Sequence, residues 1–145
     1  MSNGQSAKIL SFADNFLRIS PAFDELYKSG MTLVEEAAAY LDGQGREESK
    51  ALNRSLKLVY STETMRLTTR LMQAASWLLL MREKRQGDIS ASEVVRAKRS
   101  VDLNAVGTSE EVLASNLPEK LVELIRRSLT LMDKIQRLDT RLYPK

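Results

Sequence analysis

Apolar residues recur every three or four positions along most of this chain and almost never every second position. The first spacing is that of a helix face, and the second would be that of a half-buried strand. Ser20-Pro21 predicts a helix start, with a serine oxygen to cap and a proline that loses no hydrogen bond at the first helical position. From there Phe23, Leu26, Tyr27, Leu33, Val34, Ala37 and Leu41 trace one face to about residue 41. Ser29-Gly30 is expected to kink this helix or divide it. The run DGQG at 42–45 is expected to end it, glycine taking the left-handed conformation there.

A second, longer helix is predicted from about Glu47 to Gln86, stopped by Gly87-Asp88. Its main seam is Leu56, Tyr60, Thr64, Leu67, Leu71, Ala74, Ala75, Leu78 and Met81. A second stripe, Leu58, Met65, Met72 and Leu79, repeats every seven residues and is expected to face a second neighbour in the bundle. A third direction changes from polar to apolar through Thr62, Arg66, Thr69, Gln73, Trp77 and Leu80. Its apolar end is covered either by this chain or by a partner. Arg66, Arg70, Met72, Gln73, Trp77 and Leu80 are the candidate partner or dimer residues, since Trp, Arg and Met suit interfaces.

Ser90-Ala91-Ser92-Glu93 matches the S-x-x-E capping box and opens a short helix to about Arg99. Residues 100–116 are polar, carry Gly107 and are expected to form a mobile loop or weak helical turn. A last helix starts at Asn116–Pro118, with Leu121, Leu124, Leu131, Ile135, Leu138 and Leu142 on its core face. Ser128 interrupts that stripe. Residues 1–19 are expected to be only partly ordered, with one or two helical turns in SFADNFL. The predicted fold is all-α: a single domain over 1–145, an antiparallel up-down-up three-helix bundle with short additional helices.

Composition narrows the chemistry. The chain has 145 residues and neither cysteine nor histidine. Disulfides, thiol nucleophiles, zinc-finger ligand sets and histidine acid–base catalysis are therefore excluded together. Glu35-Glu36, Glu47-Glu48 and Glu110-Glu111 are adjacent pairs, which a helix points about 100° apart. They read as solvated faces, so no catalytic residue, metal site or cofactor is expected. The run Ala74–Met81 is about eight residues, against the roughly 20 that a membrane span needs. No secretory leader is evident at the N-terminus, and the chain is read as cytoplasmic.

Net charge is +3, but its distribution is uneven. Residues 1–48 carry four bases and eight acids, and residues 49–99 carry eleven bases and four acids. Intramolecular complementarity explains such segments, and so does a basic surface for an acidic partner. MREKRQG at 81–87 and RAKRS at 96–100 leave a DNA-associated regulator using 82–99 as the alternative function. A helix-turn-helix across 88–130 is disfavoured, because its connection would be about 15 residues rather than three or four.

Two segments carry a resemblance. MTLVEEAAAYLDGQGREESKAL (31–52) and STETMRLTTRLMQAASWLLL (61–80) resemble the alphaproteobacterial family of the regulator of CtrA degradation. The second departs from the family pattern where Thr62-Glu63-Thr64 stands between Ser61 and Met65. The resemblance implies a non-enzymatic three-helix-bundle homodimer acting as a proteolysis adaptor. Such an adaptor bridges cell-cycle transcription regulators to the ClpXP protease, with a response-regulator cofactor and a cyclic-di-GMP effector protein, and is recruited to the cell pole.

Overall fold

The computed structural model describes residues 16–17, 20–104 and 107–144. Most of the 1–19 segment thus lies outside the described residues. The helices are α1 (Pro21–Asp42), α2 (Gln44–Lys50), α3 (Arg54–Gln86), α4 (Ala91–Lys98), α5 (Glu110–Leu113) and α6 (Glu119–Leu142). The expected all-α bundle is present: α1, α3 and α6 pack against one another, and the shorter helices decorate them.

Local chemistry sets the boundaries. Ser20 Oγ accepts the Phe23 amide at 3.2 Å, with Pro21 in the first turn. Ser90 and Glu93 form the full capping box at the start of α4. Gly87 ends α3 in the left-handed conformation, φ 77°, where any side chain would be strained. Gly43 ends α1 differently, at φ −120°. The predicted second helix is two helices: Asn53 Oδ1 accepts the Leu56 amide at 2.9 Å and restarts the chain as α3. The asparagine cap satisfies one of the new helix's free amide donors and so lowers the cost of the break.

Ser29-Gly30 does not divide α1, which is continuous from Pro21 to Asp42. Gly30 instead sits at the crossing of the three long helices. A Cβ there would lie 2.6 Å from Leu78 Cδ1 and 3.3 Å from Leu131 Cδ1. The glycine's helix-propensity cost of about 1 kcal/mol is offset by the close approach it permits.

Helix direction follows from which residues meet. Arg85 pairs with Asp24, and Tyr60 lies beside Gly45, so α1 and α3 are antiparallel. Arg127 pairs with Glu36 and Leu131 lies against Gly30, so α1 and α6 are antiparallel as well. Arg70 meets Ser128 and Trp77 meets Asp139, which makes α3 and α6 parallel. The order is therefore up-down-down rather than up-down-up. Residues 87–118 must carry the chain back along the bundle. They bury Val94, Leu113 and Leu117 on the way.

The main seam of α3 is buried as its spacing predicted, through Leu67, Leu71, Ala74, Leu78 and Met81. Trp77 is fully buried too. Its ring lies 6.4 Å from that of Phe23 on α1, and its Nε1 donates to Asp139 Oδ1 of α6 at 2.9 Å. Lys98 of α4 closes on the same carboxylate at 2.8 Å and stacks over Tyr143. Trp77→Ala should thus destabilise the fold by about 3–5 kcal/mol, measured by urea unfolding followed by circular dichroism. A loss below about 1 kcal/mol would place Trp77 outside the core.

Candidate functional site

Arg70 is the largest buried charge, with 1% of its surface exposed. One guanidinium nitrogen donates to Ser128 Oγ of α6 at 2.7 Å, and the other donates to Thr108 Oγ1 at 2.8 Å. The Thr108 hydroxyl donates to Glu63 Oε1 at 2.7 Å, and Ser128 donates to the Ile125 carbonyl at 2.6 Å. Glu63 is itself buried and takes a 3.3 Å ion pair from Arg66. Burial pulls the Arg70 pKa down, Glu63 opposes that shift, and Arg66 reinforces it. The serine that broke the apolar stripe of α6 is the arginine's acceptor. The cluster joins α3, α6 and the returning crossover.

This geometry relocates most of the candidate interface residues. Arg70, Trp77 and Leu80 are buried within the chain and present nothing to a partner. Arg66 is half-buried beside Glu63. Gln73 is half-buried, its Oε1 accepting the Asp102 amide at 2.8 Å. The 100–116 segment is further tied by Gln136 to Leu103 and by Arg126 to Glu110. Of the six candidates, Met72 alone stands well out in solvent.

Met72 belongs to the seven-residue stripe, of which Leu58, Met65 and Met72 face solvent and Leu79 is half-buried. Leu58, Met65 and Met72 are 69%, 71% and 64% exposed. The second neighbour of α3 packs over the Arg70–Trp77 direction instead, so the stripe lies on the opposite side of the helix from Leu67, Leu71 and Ala74. Ser61, Thr62, Thr68, Thr69 and Ser76 fill the exposed positions between its members. From Leu58 to Leu79 this face carries no charged residue, although 28% of the chain is charged. Such a face is unusual on a monomer surface.

The basic segment 82–99 is largely committed within the fold. Arg82 stacks on Tyr27, Arg85 pairs with Asp24, and Lys98 pairs with Asp139. The Arg85 guanidinium holds the Asp24 carboxyl below its ordinary range. Among the described residues no cluster of three acidic, histidine or cysteine side chains could hold a metal ion, and no helix is long and apolar enough to cross a membrane.

Residues 15–145 match the family described as "Protein of unknown function (DUF1465)". The fold matches the crystal structure of RcdA from Caulobacter crescentus CB15, with a TM-score of 0.71 and 41% sequence identity. The match covers 89% of this chain and 97% of that one. The chain belongs to the RcdA-like DUF1465 family. No curated protein matches it. For this family member, the buried arginine is structural and the charge-free face of α3 is the candidate interaction site.

Removing one side of the buried cluster should cost more than removing both. Arg70→Met leaves Glu63 without its long-range compensation and should destabilise by about 3–5 kcal/mol. Adding Glu63→Leu should recover part of that loss in a urea-unfolding double-mutant cycle. Strictly additive losses would show that the two charges do not depend on each other.

Proposed function

We propose that this protein is a non-catalytic, cytoplasmic adaptor that promotes ClpXP-dependent proteolysis of cell-cycle transcription regulators. It works through protein–protein contacts with the protease machinery and a response-regulator cofactor, and it is recruited to the cell pole. The observation that carries the reading is the likeness to RcdA over 89% of the chain at 41% identity. The molecule supports it chemically. Its buried polar residues hold the fold together, and its most unusual surface is suited to association rather than to reaction.

The charge-free face of α3 is the self-association surface in this reading. Its pattern is the same in both directions about the Thr68–Thr69 bond. In an antiparallel pair Leu58 meets Leu79 of the second copy, Met65 meets Met72, and threonines meet at the centre. Small residues between the knobs allow close approach of the helices. The ends agree as well: Arg54 would face Glu83 of the second copy, and both are exposed. This is the self-complementarity that a two-fold interface requires. Heptad spacing supplies the knobs, and methionine adapts to the partner surface.

An adaptor acts by raising the effective concentration of its cargo at the protease, so modest contacts suffice. The test is reconstitution with ClpXP, the response-regulator cofactor and a candidate transcription-regulator cargo. Adding the protein should accelerate cargo turnover several-fold. Unchanged turnover with every cofactor combination would contradict the adaptor reading.

A further inference from the structure

A groove of about 750 Å³ runs between α1 and α6, on a different side of the bundle from the charge-free face. Its origin lies in side-chain size. On α1 the lining positions Ala22 and Ser29 are small, whereas on α6 they are Lys134, Arg137 and Arg141. Short residues opposite long ones leave a trough floored by Leu26 and Leu138. Along α6 it spans residues 127–141, about 21 Å at 1.5 Å per residue. That length accommodates about six residues of extended chain.

Its charge is one-sided. Five cationic side chains line it, against the single carboxylate of Glu25. Arg127 and Arg137 are neutralised by Glu36 and Asp133. Lys28, Lys134 and Arg141 form no ion pair among the described residues, and Arg141 lies over the Phe16 ring that also lines the groove. Unspent positive charge above an apolar floor asks for an occupant with carboxylates and apolar anchors together. A small anion would use the charge and leave the floor wet.

We infer that this groove is a docking site for an acidic segment of another protein chain, its leucine-like side chains seated on Leu26 and Leu138 and its carboxylates on Lys28, Lys134 and Arg141. The inference rests on the adaptor reading for the occupant being a protein. The cationic rim steers the segment in, and the apolar floor retains it.

The probe is a short fluorescein-labelled peptide of glutamate and leucine, titrated with the full chain and followed by fluorescence anisotropy. Binding should weaken with added salt. The double substitution Lys134→Glu/Arg141→Glu should lower affinity about tenfold or more, with thermal midpoint and oligomeric state unchanged. Arg46→Glu/Arg99→Glu, exposed elsewhere, should leave affinity alone. The proposal is overturned if the first double variant binds like the wild type, or if the control pair loses as much. It is also overturned if a peptide with serine for leucine binds equally well, which would mark a bare anion site. Peptide binding that depends on Lys134 and Arg141 in a protein that never alters cargo turnover would keep the groove and end the adaptor reading. Altered turnover with no peptide binding would end the groove alone.

Discussion

A buried guanidinium organises this bundle. Arg70 lies in the middle of the longest helix, almost without contact with solvent, and a charge there is tolerated only with its donors satisfied and a counter-charge close by. Ser128 supplies an acceptor from α6, Thr108 supplies one from the crossover, and Glu63 supplies the negative charge through Thr108. Each partner comes from a different part of the chain. The cluster therefore specifies how α6 lies along α3 and where the returning segment must pass. The parallel arrangement of α3 and α6 depends on that return. The buried Val94, Leu113 and Leu117 hold the same crossover down along the bundle.

Below this layer the bundle is held by ordinary apolar packing, tightened at two points. Gly30 lets Leu78 and Leu131 approach α1 closely. Trp77 fills the space between the long helices while handing its N–H to Asp139, which also receives Lys98. Arg70 and Trp77 are thus successive polar anchors along one side of α3. That leaves the opposite side of α3 unused by the fold, and the unused side carries no charge between Leu58 and Leu79. That side is uncharged rather than apolar, its leucines and methionines set among serines and threonines.

Much of this was legible in the residues. The Ser20-Pro21 start, the Ser90 capping box and the main seam from Leu67 to Met81 follow from local chemistry and period. What periodicity cannot do is assign a stripe to its neighbour. Leu58, Met65, Met72 and Leu79 look like a core stripe, and only the placement of α1 and α6 shows that the first three face outward. For Arg70 the residues leave a structural role and a partner role both open, because arginine is rarely fully buried and its partners lie 58 and 38 positions along the chain. One signal did exist: Ser128, polar within an apolar stripe, marked where a buried donor would arrive. The break before α3 also had its sign in Asn53, a good cap placed inside a helical run. The parallel order of α3 and α6 had no local sign, because it is decided by contacts between distant residues.

The division of α3 into a folding side and a pairing side can be tested with a single thiol, since the chain has no native cysteine. Thr69→Cys lies beside the centre of the antiparallel pattern, within disulfide reach of its own counterpart in a second copy. Mild oxidation followed by non-reducing electrophoresis should give a covalent dimer. Leu58→Cys should give none on its own, and should link only when Leu79→Cys is also present. A Thr69→Cys chain that stays monomeric, or a Leu58→Cys chain that links to itself as readily, would contradict antiparallel pairing through this face.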